Sequence, residues 1–234
     1  MIEPIGFDIL YEEGPCLVVC KPGGVLTQAA RGIDSLEVRI KQFIKQRDDK
    51  PGKVYLGVPH RLDRPVSGAM VFARHVRAAR RLAEQFEGRM VKKKYWALLE
   101  GRVEPDVGTW RDYVRKIPDQ PQAEIVDRSH ADARLAVLHY RVLQQADACS
   151  LLEIELETGR MHQIRVQAAS RGYPVLGDEQ YGATMPFGPE TDDRRQRWIG
   201  LHGKSLDFRH PMTREPVSQT APLPEWWGRL AISD

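Results

Sequence analysis

The chain has 234 residues, of which 41% are hydrophobic and 29% charged, so it can bury a core and is neither disordered nor fibrous. No segment approaches the roughly 18 consecutive apolar residues of a membrane helix, and the early acidic residues Glu3, Asp8, Glu12 and Glu13 exclude a secretory or transit signal. The net charge of +3 permits a nucleic-acid partner without requiring one. We therefore expect a cytoplasmic protein that does not associate with membranes.

The three cysteines, Cys16, Cys20 and Cys149, predict neither a disulfide framework nor a zinc site, because their number is odd and no C-x-x-C pair is present. Cys16 and Cys20 lie an even number of residues apart in an apolar run, so a strand would place both on one face. We expect them to be reduced core residues.

The N-terminal part of the chain predicts strands separated by two amphipathic helices. Residues 16–21 predict a strand that stops at a Pro-Gly-Gly turn, and residues 69–74 predict a second, buried strand. Ser35 is expected to cap a helix that runs to residue 47, and a second helix is expected over 76–88 with Gly88 closing it. The residues expected to face the core are Leu36, Ile40, Phe43 and Ile44 in the first helix and Val76, Ala79, Ala83 and Phe86 in the second.

The rest of the chain is dominated by predicted strands. A strand is expected over 91–101, short strands with long loops over 104–132, and alternating strands over 135–143 and 150–159. A helix over 160–172 and a strand over 197–208 follow. Because strands and helices do not alternate regularly, we expect an α+β fold in which helices flank a large mixed, mainly antiparallel sheet, as one domain over 1–234.

The densest polar cluster lies in residues 59–74. His60, Arg61, Asp63, Arg64 and Ser67 occur among Pro and Gly just before an apolar strand. Charged groups on a loop beside a rigid strand are typical of functional sites. A surface turn with an Arg–Asp pair explains this segment alone equally well.

A second cluster, residues 156–167, places Arg160, His162, Gln163 and Arg165 at the predicted start of a helix. Basic groups at a helix N-terminus can hold an anion. A solvated helix face is the alternative, which the interleaved apolar residues Met161, Ile164 and Ala168 make less favourable.

A third cluster, residues 200–211, contains His202 and His210. Together with His60 and His162 they raise the possibility of a metal site. None of these histidines has the i, i+4 helical spacing of an H-E-x-x-H zinc enzyme, so we predict no metal.

Four motifs now carry a resemblance. In order, the chain contains H-R-L-D-R-P-V-S-G (60–68), Y-W-A-L-L-E-G (95–101), E-T-G-R-M-H-Q-I-R (157–165) and G-L-H-G-K-S-L-D-F-R-H-P (200–211). Their order and spacing resemble the RluA-like, large-subunit-type RNA pseudouridine synthases from about Ile9 to Phe208. Val66 and Gly203 stand where the family usually has Thr and Ala. Many members also have a small N-terminal RNA-binding domain, which we do not expect here because the resemblance starts almost at Met1.

The resemblance implies an isomerase that converts specific uridines of RNA to pseudouridine. Asp63 matches the family's nucleophilic Asp, Arg165 the basic residue that pairs with it, and Tyr95 the Tyr that stacks on the target base. Arg61 is similar to the side chain that enters the space left by the flipped nucleotide, and Leu201 is expected to form an apolar pocket wall. The further residues expected to bind substrate are His60, Arg160, His162 and Gln163.

The resemblance also implies what the enzyme needs. Isomerisation without redox chemistry requires no cofactor, and the expected partner is structured RNA, ribosomal or transfer RNA, with base flipping to expose the uridine. A basic strip of Arg74, Arg77, Arg80, Arg81 and Lys92–Lys94 is expected to bind phosphates. We expect a monomer with no obligatory protein partner. The alternatives are a non-catalytic RNA-binding or ribosome-assembly factor and a metal-dependent hydrolase that uses His60, His162 and His202.

Overall fold

The computed structural model describes residues 3–229, which form an α+β fold of ten strands and three α-helices; residues 1–2 and 230–234, the two ends of the predicted domain, lie outside the described residues. The helices are α1 (Leu36–Arg47), α2 (Val76–Glu87) and α3 (Gln163–Ala169). The strands, which form a large, mostly antiparallel sheet, are β1 (Asp8–Glu13), β2 (Cys16–Lys21), β3 (Ser67–Ala73), β4 (Lys92–Glu100), β5 (Val107–Lys116), β6 (Ala123–Val126), β7 (Arg134–Gln145), β8 (Cys149–Leu156), β9 (Leu201–Arg209) and β10 (Pro216–Thr220). No helix among the described residues is long and apolar enough to cross a membrane.

The described chain divides into two compact units. The first takes in the residues up to Lys93, Thr191–Gln196 and Gly203–Pro224. The second takes in Lys94–Glu190, Arg197–His202 and the described residues from Glu225. The prediction of one domain over 1–234 stays a prediction.

The first unit is built on two strands without solvent-exposed residues. Its strand order is β1-β2-β3-β9, with β10 paired to β9, and all residues of β2 and β3 are buried. One face of this sheet packs against α2 through Ala78 and Leu82. Cys16 and Cys20 both lie in that core as free thiols, which confirms the prediction of reduced core residues.

The second unit has the strand order β4-β8-β7-β5-β6, and these neighbouring strands pair antiparallel. Helix α3 packs on the β5–β7 end of this sheet through Val166, which meets Val114, Ala123 and Ala136. This packing places the predicted basic residues of the second cluster against the sheet.

Helix α1 confirms the sequence-based prediction. The Ser35 side chain accepts a hydrogen bond from the Val38 amide as N-cap, and Leu36, Ile40, Phe43 and Ile44 are all buried. The cap and the apolar stripe are both local signals, so the sequence alone could place this helix.

Helix α2 has the predicted bounds and ends at Gly88, and its inward face was predicted in part, because Ala79 and Phe86 are partly buried against the core as expected. Ala78, Leu82 and Gln85 are buried, whereas Val76 is 66% exposed. The buried Gln85, which was not predicted to face inward, donates to the Arg209 carbonyl (2.9 Å) and accepts from the Arg209 amide (2.8 Å). A pattern that counts only apolar residues cannot place a buried polar one.

Helix α3 spans Gln163–Ala169 and is therefore shorter at both ends than the predicted 160–172. His162 has a left-handed backbone (φ 52°), which a right-handed helix cannot accommodate. Two further differences concern strands: β1 and β10 were not predicted, and β5 is a long strand where short ones were expected.

Candidate active site

The loop that carries Asp63 is fixed through its backbone on both sides of this residue. The Thr27 hydroxyl donates to the Leu62 carbonyl (2.8 Å) and accepts from the Leu62 amide (3.2 Å). The Arg64 carbonyl accepts from the Lys21 ammonium (3.1 Å), and the Val66 amide closes a turn onto the Asp63 carbonyl (3.1 Å). The partly buried Asp63 side chain therefore extends from a backbone with little freedom to move.

Lys21 is a fully buried cation at the end of β2. Its ammonium donates to the carbonyls of Pro22 (2.8 Å), Val25 (2.7 Å) and Arg64, so all three N–H groups are used. Burial lowers the pKa of Lys21 to about 7, and the negative charge of Asp63 opposes that shift. Sequence reasoning missed this residue; a lysine that closes an otherwise apolar run was the available signal.

The glycine of the S-G pair is required by a close approach of β3 to β9. Gly68 has φ +128°, and a Cβ there would lie 2.4 Å from backbone atoms of Gly203. A Cβ on Gly203 itself would meet Leu62 at an ordinary 3.6 Å. Position 203 therefore has room for a methyl group, so it can hold either the Gly of this chain or the Ala expected from the resemblance.

His60 and Arg61, at the start of the same loop, have different environments. The His60 ring stacks on Phe86 (centroids 4.4 Å apart), and its Nε2 accepts from the Val71 amide (3.0 Å). Burial lowers the pKa of His60 to about 3, and the positive charge of Lys93 acts in the same direction, so the ring is neutral. Arg61 is exposed to solvent.

Arg165 of α3 is a buried cation with a carboxylate partner that the sequence analysis did not identify. Asp178 accepts from Arg165 Nε (2.6 Å) and Nη2 (2.8 Å), and both residues are almost fully buried. Gln180 Oε1 accepts from the same Nη2 (2.8 Å), and the guanidinium lies 4.9 Å from the centre of the Tyr181 ring. The guanidinium plane is therefore fixed in one orientation.

The other residues of this cluster also have partners in the second unit. His162 Nδ1 lies 2.8 Å from the Tyr181 hydroxyl, and Arg160 Nε donates to the Leu135 carbonyl (2.9 Å). Gln163 is buried: its Oε1 accepts from Thr158 and from the Arg160 amide, and its Nε2 donates to the Val137 carbonyl. Gln163 thereby fixes the segment that leads into α3.

Tyr95 and Leu201 both lie in the second unit. Tyr95 is 9% exposed on β4, where it is paired with Ile154 of β8. Leu201, the first residue of β9, is 4% exposed. Within residues 3–229, no three His, Cys, Asp or Glu side chains are grouped so that they could hold a metal ion.

Comparison with known proteins identifies the class. The sequence profile described as RNA pseudouridylate synthase matches residues 15–170, two thirds of the chain. The chain belongs to this family of RNA-modifying isomerases, so RNA is its substrate.

The individual relatives agree with this assignment. The chain is 35% identical to "Ribosomal large subunit pseudouridine synthase D" of Xanthomonas campestris pv. campestris over 97% of its own length and 69% of that protein. It is 34% identical to "Uncharacterized RNA pseudouridine synthase YlyB" of Bacillus subtilis over 96% and 72% of the two chains. The solved structure of "Human RNA Pseudouridylate Synthase Domain Containing 1" matches with a TM-score of 0.74 and 25% identity, over 99% of this chain and 89% of that one.

Proposed function

We propose that the protein converts uridine to pseudouridine at defined positions of structured RNA, with ribosomal RNA as the first substrate to test and transfer RNA as the second. The observation that carries the proposal is the Asp63 loop, whose backbone is hydrogen-bonded on both sides of the carboxylate. The relative from Xanthomonas campestris is a ribosomal large-subunit enzyme by name, which favours the first substrate. A cytoplasmic location is part of the same proposal.

In this reaction the C1′–N1 bond of uridine breaks and a C1′–C5 bond forms. A proton leaves C5 and a proton is taken up at N1, so atoms and electrons balance without an oxidant or reductant. We assign Asp63 as the ionised carboxylate that acts as nucleophile or base, either at the ribose carbon or at the base ring.

Arg165 is proposed to keep Asp63 charged and oriented. Within the second unit its Nε and Nη2 are engaged by Asp178 and Gln180, and the pairing with Asp63 is taken from the family resemblance. A nearby cation favours the ionised carboxylate and offsets the loss of hydration in a closed site.

The uridine has to leave its stack before Asp63 can reach it. We propose that Tyr95 stacks on the flipped base, that Leu201 forms an apolar wall, and that the exposed Arg61 fills the space left in the RNA. Because His60 Nε2 accepts from the Val71 amide and both polar atoms of Gln163 are bonded within the protein, we assign His60 to positioning the loop and Gln163 to positioning α3. RNA contacts by Arg160 and His162 stay predictions.

The test uses RNA transcribed with tritium at C5 of uridine, since isomerisation releases that label as water. Purified protein should release tritium from large-subunit ribosomal RNA fragments, and chemical mapping of cellular RNA with and without the gene should locate the uridine. Release should survive prolonged EDTA dialysis on a short unstructured RNA. RNA binding without any release would favour the non-catalytic alternative, and release restored only by zinc or manganese would favour the metal-dependent one.

A further inference from the structure

The guanidinium of Arg165 is held by groups outside its own helix. Helix α3 has only seven residues and follows the left-handed His162, and a helix of that length is marginal without tertiary support. Asp178 and Gln180 engage one edge of the guanidinium, and the ring of Tyr181 covers its face at 4.9 Å. The orientation of this cation therefore depends on the segment that carries these three residues.

The hairpin formed by β5 and β6 holds that segment. Gln180 Nε2 donates to the Pro121 carbonyl (2.9 Å), and Gln122 Nε2 donates to the Gln180 carbonyl (3.3 Å). The Tyr181 hydroxyl accepts from the Ala123 amide (2.9 Å). Because β6 is an edge strand of the sheet, this hydroxyl occupies the place that a further strand would take.

Tyr181 connects the hairpin to two groups around α3. Its hydroxyl lies 2.8 Å from His162 Nδ1, directly before the helix, while its ring packs against the apolar cluster beneath α3 and against Arg165. The two-pronged contact with Asp178 fixes one edge of the guanidinium but permits the plane to tilt about that edge. A ring that is anchored at its hydroxyl restricts this tilt.

We propose that the β5–β6 hairpin positions Arg165 for the reaction, through Tyr181 on the face of the guanidinium and Gln180 on its edge. Both are positioning residues, which act through Arg165 and not on the uridine. The inference rests on the proposed function for the role of Arg165. Since a displacement of about 1 Å can lower a rate about 100-fold, the effect belongs in kcat and not in RNA affinity.

The test compares variants that remove different parts of this support. Tyr181→Leu removes the ring face and the hydroxyl, so kcat for tritium release should fall about 100-fold with KM nearly unchanged. Tyr181→Phe removes only the hydroxyl, and Gln180→Met only the polar end of the side chain, so each should lower kcat about tenfold. Tyr140→Phe is the matched control, because the Tyr140 hydroxyl also donates to a backbone carbonyl of the second unit, that of Pro105 (3.2 Å). It should lower the melting temperature about as much as Tyr181→Phe and leave kcat unchanged.

A double-mutant cycle separates positioning from a general loss of stability. Arg165→Lys lacks the planar group on which the ring packs, so adding Tyr181→Leu to it should lower kcat by less than about threefold. Losses that multiply fully would mean that Tyr181 acts on the fold and not through Arg165, and the proposal would be overturned. An unchanged kcat in Tyr181→Leu alone would overturn it as well.

The Nε–H resonance of Arg165 gives a readout that does not depend on the reaction. Assigned by its absence in Arg165→Lys, it should shift in Tyr181→Leu because the ring current is lost, and it should exchange with solvent faster than in the wild type. An unchanged resonance would overturn the positioning of Arg165 whether or not the wild type releases tritium. A changed resonance in a protein that released no tritium from any RNA would support the positioning, and only the proposed reaction would fail.

Discussion

A carboxylate that acts as nucleophile or base has to be held in one orientation. At Asp63, the side chains of Thr27 and Lys21 limit how far the backbone can move. Thr27 engages both polar backbone groups of Leu62, and Lys21 engages the Arg64 carbonyl. At the scale of single residues, the candidate site thus depends on groups that lie far before Asp63 in the sequence and carry no motif of their own.

The carboxylate itself is the first test at this scale. Asp63→Asn keeps the size of the side chain but removes the charge and replaces one accepting oxygen with an NH2 donor, so turnover should fall by several orders of magnitude while the melting temperature stays close to that of the wild type. Tritium release under single-turnover conditions measures the loss. Activity within tenfold of the wild type would remove Asp63 from the role of nucleophile.

Thr27 is expected to be a positioning residue. Thr27→Val keeps the shape but leaves the Leu62 amide and carbonyl buried without a partner, at a cost of about 1–3 kcal/mol in unfolding free energy. We expect kcat to fall at least tenfold with little change in KM, because RNA binding tolerates small displacements of the loop while chemistry does not.

Thr27→Ser is the matched control, since it keeps the hydroxyl and removes only a methyl group. Kinetics are compared well below both melting temperatures, so that all variants are folded. Equal loss of kcat in the Val and Ser variants would mean that the hydroxyl plays no part in orienting Asp63.

At the scale of elements, the orientation of Arg165 depends on a segment outside its own helix. Asp178 and Gln180 lie at the start of and within a short 3-10 helix (Glu179–Tyr181) further along the chain, and they hold the guanidinium on one edge. The motif E-T-G-R-M-H-Q-I-R indicated Arg165 as a functional cation but gave no sign of Asp178. A single sequence cannot reveal this pair, because Asp178 lies in a loop with no hydrophobic periodicity.

Substitutions of Arg165 should separate charge from geometry. Arg165→Lys keeps the charge but loses the planar fork, so some activity should remain, whereas Arg165→Met should have almost none. Breaking the buried pair from the other side, by Asp178→Ala, should lower the unfolding free energy by about 3–5 kcal/mol. If the Lys and Met variants were equally active, the charge would be irrelevant and the pairing with Asp63 would have to be abandoned.

The elements differ in how far the sequence could predict them. Helix α1 was placed correctly because its cap and apolar stripe are local, and strands β2 and β3 were recognised as apolar runs. The inward face of α2 was predicted only in part: Ala79 and Phe86 pack on the core, but the buried Gln85 was missed because its hydrogen bonds are to Arg209, far along the chain. The start of α3 was missed because the left-handed backbone conformation of His162 cannot be inferred from the residue type.

At the scale of the whole molecule, two buried basic groups predict how stability depends on pH. His60 has its pKa lowered from 6.5 to about 3 and Lys21 from 10.5 to about 7, so in each window the unfolded chain binds more protons than the folded one. The unfolding free energy should therefore rise with pH from about 3 to 6.5 and again above 7. Burial raises the thiol pKa values of Cys16 and Cys20, which lowers the unfolding free energy with rising pH, but only above pH 9.

Urea titrations between pH 4 and 9 measure this profile. Lys21→Met should be less stable than the wild type and should lose the rise between pH 7 and 9, whereas Lys45→Met, at an exposed position of α1, should keep it. If the urea concentration at the unfolding midpoint of the wild type decreased as the pH rose from 7 to 9, the assignment of Lys21 as a buried cation would be contradicted.

The order of strands in the first unit bears on how the chain emerges from the ribosome. Strand β3, buried at every position, ends at Ala73, but its neighbour β9 ends only at Arg209, more than half of the chain later. At the usual 5–20 residues per second, translation of that interval takes on the order of ten seconds. Throughout it, one edge of an apolar strand lacks its final partner, so the nascent protein has a defined period in which a chaperone or a second nascent chain can pair with it.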